Sequence, residues 1–95
     1  MGKMTLLEIT EKLGELDREQ TIYAVKPWSP ESAAVVDAEP QGGGVPREAA
    51  KLGMSYFLEV FIAQDFLDDW QVSLPKKPAA KERCKRLIDY AINDA

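Results

Sequence analysis

The sequence contains no histidine, a single cysteine and no long run of apolar residues. Without histidine the chain has neither the commonest general base nor the usual nitrogen ligand of a metal. The single thiol, Cys84, excludes an internal disulfide and a thiolate metal cluster. No stretch approaches the roughly 20 apolar residues that cross a membrane, and the first residues do not resemble a secretory signal. We therefore expect a cytoplasmic protein with no membrane partner and no cofactor.

The 95 residues suffice for one domain, and we expect a single domain over residues 1–95. A composition of 45% hydrophobic and 29% charged residues is typical of a globular protein. The charge is uneven, because residues 1–75 carry 6 Lys and Arg against 13 Asp and Glu, whereas residues 76–95 carry 6 against 3. An acidic body repels nucleic-acid phosphates and attracts basic surfaces. The charge favours a protein partner with a basic surface over nucleic acid.

The first half of the chain predicts one helix and two strands. Thr5 and Glu8 have the spacing of a capping box, and apolar residues then recur every three or four positions, which predicts a helix over about 5–16. Residues 21–25 are rich in β-branched and aromatic side chains, so they predict a strand. The short apolar segment 33–37 predicts a second strand, and a hairpin is the simplest connection.

The second half predicts a short helix over about 46–52, framed by a proline and a glycine. Alternating and aromatic residues over 56–62 favour a central strand, with Glu59 and the odd-numbered residues on one face. A helix is the alternative, because it shares much of the same apolar spacing. Over 64–70 the apolar residues no longer alternate but recur at helical spacing, which predicts a helix of one to two turns. The last helix, about 79–93, follows a Pro-Lys-Lys-Pro spacer and forms the C-terminal segment 79–95.

These elements predict an α+β fold. The simplest arrangement that buries every apolar stripe is a small, mainly antiparallel three-stranded sheet with helices packed on one face. The last helix places Cys84 on an apolar stripe with Leu87 and Ile88, so a buried structural cysteine is expected. Its basic residues favour contact with an acidic patch on the same chain or on a second copy. A homodimer that exchanges this helix through the spacer is one alternative.

Carboxylates are the one plentiful type of catalytic side chain, and four of them adjoin the densest apolar stretch: Glu59, Asp65, Asp68 and Asp69. If the strand and the following helix met at a corner, Glu59, Asp65 and one of Asp68 and Asp69 could bind Mg²⁺ or Mn²⁺ through oxygen ligands. The same spacing is also that of an ordinary solvated helix face, which we favour, and no metal is assigned. A carboxylate among apolar neighbours needs exposure or a cation, and Glu59 is expected to be exposed or paired with Lys26 or Arg47.

Trp28 stands between two prolines in the predicted hairpin loop. Tryptophan is frequent at the energetic centres of protein interfaces, so Trp28 is a candidate anchor for a partner. The alternative is that Trp28 folds back over the sheet and belongs to the core. The sequence favours neither interpretation over the other. Trp70 ends a segment that needs a core residue and is expected to be buried.

Three parts of the chain form a recognisable pattern. Residues 21–24 read TIYA and are followed by PW at 27–28; residues 56–60 read YFLEV; residues 65–67 read DFL and are followed by DW at 69–70. They resemble the core pattern of a family of small uncharacterised bacterial proteins. The resemblance covers about residues 21–70 and implies a bacterial cytosolic origin and a compact α/β domain. It brings no activity, ligand or catalytic residue.

The sequence predicts a non-catalytic protein-binding module, of the kind that immunity proteins and antitoxins represent. This prediction depends on the acidic first 75 residues and the missing histidine, and it assigns binding to Trp28 and to Glu59, Asp65, Asp68 and Asp69. The alternative is a hydrolytic activity dependent on a divalent metal at the acidic cluster. A third possibility, nucleic-acid binding through the last helix, would show a steep dependence on salt.

Overall fold

The computed structural model describes residues 3–93, which form four strands, four α-helices and one 3₁₀ helix. In chain order these are β1 (Met4–Thr5), α1 (Leu6–Glu11), the 3₁₀ helix (Leu13–Glu15), β2 (Thr21–Val25), β3 (Ala33–Asp37), α2 (Arg47–Lys51), β4 (Met54–Glu59), α3 (Val60–Val72) and α4 (Ala80–Asn93). The α+β class is therefore confirmed. None of the helices within 3–93 is long and apolar enough to cross a membrane.

Within these residues the sheet has four strands in the order β1-β3-β2-β4, joined in three antiparallel pairs, and not three strands as predicted. The additional strand is β1, in which Met4 lies opposite Ala34 and Thr5 opposite Ala33. Two residues are too few to produce an alternating pattern, so the sequence carried no signal for this strand. β3 and β4 are both antiparallel to β2 and lie on either side of it, so the connection between them crosses the sheet.

β4 ends earlier than predicted, because the chain turns into α3 at Val60. A bulge interrupts its pairing with β2: Ile22 lies opposite Leu58, whereas the next residue of β2, Tyr23, lies opposite Tyr56. Phe57 is therefore an extra residue in β4. Both Phe57 and Leu58 are buried in the main core, so the predicted alternation of faces over 56–62 is wrong.

Helices cover both faces of the sheet, which corrects the prediction of helices on one face. The main core lies between one face and α1, the 3₁₀ helix, α3 and α4. The smaller cluster on the opposite face joins Tyr23 and Val35 of the sheet to Ala49 of α2 and to Met54. Because α2 has only five residues, it covers one end of that face and leaves the other end accessible.

The predicted capping box of α1 is confirmed, because the Glu8 amide donates to Thr5 Oγ1 and the Thr5 amide donates to Glu8 Oε1. The helix nevertheless ends at Glu11, and the chain continues as the 3₁₀ helix rather than as one helix to residue 16. Gly53 adopts the left-handed conformation expected after α2, with φ of +74°.

α4 packs on the core of its own chain, where Cys84, Leu87 and Ile88 are buried against α1 and α3. Phe66 of α3 stacks on Tyr90 of α4, with ring centroids 4.3 Å apart. The predicted apolar stripe of this helix is therefore confirmed, and its basic residues point outward.

Candidate functional site

Two carboxylates lie on either side of Thr21 at one end of the sheet. Glu59 is opposite Thr21 in the β2–β4 pair, and Asp37 is opposite it in the β2–β3 pair. Cross-strand partners point to the same face, so both carboxylates share the face that carries Tyr23 and α2. Thr21 is buried, whereas Asp37 and Glu59 are half-buried. Two negative charges thus flank a buried hydroxyl.

A depression of about 450 Å³ opens beside this row, and we call it the acidic depression. Its lining combines three carboxylates, one guanidinium, one hydroxyl and one aromatic ring: Glu19, Glu39, Glu59, Arg18, Thr21 and Phe61. Phe61 stands in the first turn of α3 and is 41% exposed, which is unusual for a side chain of its size. The site therefore offers negative charge next to an accessible aromatic face.

Arg18 is the cation that lines the acidic depression, but its hydrogen-bond partners lie outside the depression. Arg18 donates to both carboxylate oxygens of Asp65, at 3.2 and 3.3 Å, and to Gln64 Oε1 at 2.9 Å. The hydrogen bond to Asp65 raises the pKa of Arg18. The guanidinium carbon also lies 5.9 Å from the centroid of the Phe61 ring, within the range of a cation–π contact. Arg18 thus neutralises Asp65 rather than the three glutamates.

The Tyr23 hydroxyl is a buried polar atom without a hydrogen-bond partner within residues 3–93, and the whole residue is only 1% exposed. Burial raises the pKa of Tyr23, the nearby Thr21 side chain lowers it, and the charges of Glu39 and Asp37 raise it further. Tyr23 is two residues from Thr21 along β2, but it does not line the acidic depression. An unsatisfied buried hydroxyl costs about 1–3 kcal/mol in the free protein.

A second depression, of about 430 Å³, lies between the 3₁₀ helix, α3 and the start of α4. It carries charges of both signs, with Glu11, Glu15 and Asp68 facing Lys77 and Arg83. Mixed charge gives this groove no preference for a ligand of one sign. It accounts for the position of Asp68, which is the one predicted site residue found here.

The predicted acidic cluster does not come together as a unit. Glu59 lines the acidic depression, Asp65 is paired with Arg18, Asp68 lies in the second depression, and Asp69 is exposed on α3. Glu59 is expected to be exposed or paired with Lys26 or Arg47; it is half-buried, and the pairing does not form, because the one salt bridge within residues 3–93 joins Arg18 to Asp65. In the same part of the chain, no group of three or more acidic or thiol side chains is placed to hold a metal ion.

Trp28 packs against the main core, so the structure places it as a lid over the sheet. Its ring meets Phe57 edge-on, with centroids 4.9 Å apart, and its Nε1 donates to the Ala24 carbonyl at 3.3 Å. The Lys26 ammonium lies over the same ring, 5.1 Å from its centroid. Trp28 keeps a partly exposed surface, but its position is fixed by contacts within the chain. Trp70 also packs against the core, as predicted.

Cys84 is buried, as predicted, and its surroundings make it a poor nucleophile. Burial raises the pKa of the Cys84 thiol, and a hydrogen bond involving the Thr10 side chain lowers it by less. Since the thiolate is the reactive form, the thiol stays protonated and unreactive at neutral pH.

Sequence reasoning missed most of the acidic depression. Asp37 and Glu59 become neighbours of Thr21 only through the register of three strands, and Glu19 and Glu39 come from connecting segments that have no periodic signal. The exposed position of Phe61 could have been recognised only if the turn from β4 into α3 had been placed at Glu59.

No family model, no curated protein and no solved structure matches this chain. The resemblance over residues 21–70 therefore stays a prediction. The geometry of the site is what indicates a function.

Proposed function

We propose that this protein is a non-catalytic binding module that presents the acidic depression to the basic surface of a partner protein. The observation that carries this proposal is the pair of carboxylates, Asp37 and Glu59, that flank Thr21 across three strands. A rigid sheet fixes the spacing of these charges, and fixed charges bind an oppositely charged surface with less loss of entropy than mobile ones.

The charges of the acidic depression are available to a partner. Glu19 and Glu39 are exposed, Glu59 is half-buried, and none of the three is in a salt bridge within residues 3–93. A concentration of one sign of charge accelerates association with a complementary surface and rejects partners of the same sign. This arrangement suits an inhibitor of the immunity or antitoxin kind, which covers a basic region of another protein.

A metal-dependent hydrolase receives no support from the geometry. Of the carboxylates that the sequence grouped together, Glu59 and Asp68 line different depressions, and Asp65 is occupied by Arg18. We therefore propose one function.

The test is affinity capture from an extract of the native cell, with chemical crosslinking and identification of the captured proteins. The site variant is Glu39→Lys with Glu59→Lys. The matched control, Glu31→Lys with Asp69→Lys, changes the net charge equally at exposed positions outside the acidic depression. We expect the wild type and the control to capture the same basic protein and the site variant to lose it.

Capture should also weaken as salt rises, because screening shortens the reach of exposed charges to about 10 Å at 0.1 M and about 3 Å at 1 M. Equal capture by the site variant and the wild type would contradict the proposal, provided that circular dichroism and the melting temperature show both variants folded.

A further inference from the structure

We infer that the second depression binds a zwitterion of amino-acid size. The ammonium group of the ligand contacts the carboxylates beside the 3₁₀ helix, and its carboxylate contacts the cations beside α4. This site is separate from the acidic depression, so the inference goes beyond the proposed function and does not depend on it. It follows from three features of the second depression: the separation of its charges by sign, its fixed apolar base and a glycine that keeps it open.

The two signs of charge come from different elements. Glu11 ends α1 and Glu15 ends the 3₁₀ helix, so both carboxylates lie on one side of the second depression. Lys77 belongs to the segment between α3 and α4, and Arg83 lies in the first turn of α4, so both cations lie on the other side. A ligand of one sign is repelled by the side that carries the same sign, whereas a zwitterion presents each of its ends to the opposite charge.

The charges of the second depression do not pair with each other. The one salt bridge within residues 3–93 joins Arg18 to Asp65, so Lys77 and Arg83 have no carboxylate partner in that part of the chain. Arg83 is also half-buried, and a charged group that is partly removed from water needs a counter-charge. The carboxylate of a bound zwitterion supplies it, in the bidentate geometry that suits a guanidinium.

The base of the second depression is apolar and fixed. Leu13 and Leu67 are buried in the main core. Gln64 donates to the Leu13 carbonyl and Gln71 to the Leu67 carbonyl, so both amide side chains are held beside them. An apolar base suits the short carbon chain that joins the two charges of a zwitterion. The volume of about 430 Å³ falls in the lower part of the range of roughly 300–1,000 Å³ that small-molecule sites occupy.

Gly14 is an independent sign that space is kept for a ligand. It stands inside the 3₁₀ helix and lines the second depression. A Cβ atom at this position would meet nothing within 4 Å, and Gly14 does not have a positive φ. Neither packing nor backbone conformation therefore requires a glycine here, although glycine weakens a helix relative to other residues. Its missing side chain lets a ligand approach the backbone closely.

The experiment titrates isotope-labelled protein with zwitterions of increasing length and follows the amide resonances by NMR. The zwitterions are free glycine, γ-aminobutyrate and ε-aminocaproate, and the single-charge controls are butylamine and butyrate. We expect at least one zwitterion to bind saturably with a Kd of about 1–10 mM and to shift resonances along the second depression. Each single-charge control should bind it about five-fold more weakly or worse, because one of the two ion pairs is missing.

Charge variants locate the site. Lys77→Gln and Glu15→Gln should each weaken binding of the zwitterion about two- to five-fold, the range of one partly screened ion pair. The matched controls, Lys76→Gln and Glu31→Gln, remove the same charges from exposed positions that do not line the second depression and should leave the affinity unchanged. Equal effects of site and control variants would overturn this location of the site.

The glycine variant separates binding from stability. Gly14→Gln places a side chain in the second depression and should weaken binding about five-fold or more, while the melting temperature stays at or above that of the wild type. Ala79→Gln, at an exposed position outside the depression, is the control and should leave the affinity unchanged. Unchanged binding by Gly14→Gln would overturn the inference, as would no saturable binding of any zwitterion or equal affinity for the single-charge controls.

Discussion

Gln64 of α3 donates from its Nε2 to the carbonyl oxygen of Leu13, at 2.7 Å, and so ties α3 to the 3₁₀ helix across 51 positions of the chain. The same amide nitrogen lies 3.3 Å from the Leu16 carbonyl. Its Oε1 accepts from Arg18 at 2.9 Å. One side chain thus contacts the carbonyls of the first residue of the 3₁₀ helix and of the residue that follows the helix, and it also holds the guanidinium of Arg18.

Replacing Gln64 should destabilise the protein more than replacing its neighbours on α3. We expect Gln64→Leu, which preserves volume but removes the donor, to lower the free energy of unfolding by about 1–2 kcal/mol. The Leu16 carbonyl loses its bond from Gln64, and the Leu13 carbonyl keeps only the bond from the Leu16 amide. Asp69→Ala, at an exposed position on the same helix, is the control and should change it by less than about 0.5 kcal/mol. Urea unfolding followed by circular dichroism measures both, and similar values for the two variants would contradict the role of Gln64.

Removing the Tyr23 hydroxyl should leave the protein as stable as the wild type or more stable. Because this buried hydroxyl has no partner within residues 3–93, Tyr23→Phe removes an unsatisfied group, and we expect a gain of up to about 1 kcal/mol. Tyr56→Phe is the control, since Tyr56 is exposed, and should be nearly neutral. A loss of more than about 1 kcal/mol on Tyr23→Phe in urea unfolding would show that the hydroxyl is satisfied.

Stability should fall in alkaline solution, and Tyr23 should contribute to the fall. Burial raises the pKa of Tyr23 above its ordinary value of 10.0, so the folded state holds the phenolic proton more tightly than the unfolded state does. The resulting stability is fully present below pH 10 and is lost as the pH rises through the folded pKa. Urea midpoints measured between about pH 8 and pH 11 should decline less steeply for Tyr23→Phe than for the wild type. Parallel declines would be inconsistent with a raised pKa.

α4 should be an integral part of the folded unit. Leu87 is 2% exposed against α1 and α3, so Leu87→Ala should lower the free energy of unfolding by about 2–4 kcal/mol through lost burial and a cavity. Ile92 on the same helix is 62% exposed, and Ile92→Ala should change stability by less than about 0.5 kcal/mol. If the two variants unfolded at the same urea concentration, packing of this face of α4 on the core would be wrong.

Local patterns in the sequence predicted the local structure well. The capping box at Thr5 and Glu8, the strands at 21–25 and 33–37 and the apolar stripe with Cys84 were all identified, because each depends on neighbours within a few positions. The prediction failed where tertiary packing decides. Leu13 continues the apolar stripe of α1, yet the chain tightens there into a 3₁₀ helix, and the Leu13 carbonyl accepts from Gln64 of the distant helix α3.

The candidate site was less predictable than the fold because it depends on which residues lie opposite each other. Glu59 was identified as a carboxylate in apolar surroundings, but its neighbours were assigned to α3 rather than to β2 and β3. The sequence spacing of Glu59, Asp65 and Asp68 grouped them, whereas α3 separates them onto different sides. Charge spacing along a chain predicts proximity only within one helix or strand.

The extra residue at Phe57 gives the interior an aromatic ring that a regular strand would not supply. A β4 without it would pair Tyr56 and Leu58 with the consecutive residues Tyr23 and Ile22, and Glu59 would still lie opposite Thr21. With it, two successive side chains of β4, Phe57 and Leu58, enter the main core, and the ring of Trp28 packs edge-on against the added one. The irregularity therefore enlarges the apolar interior on one side of the sheet and leaves the acid on the other side where it was.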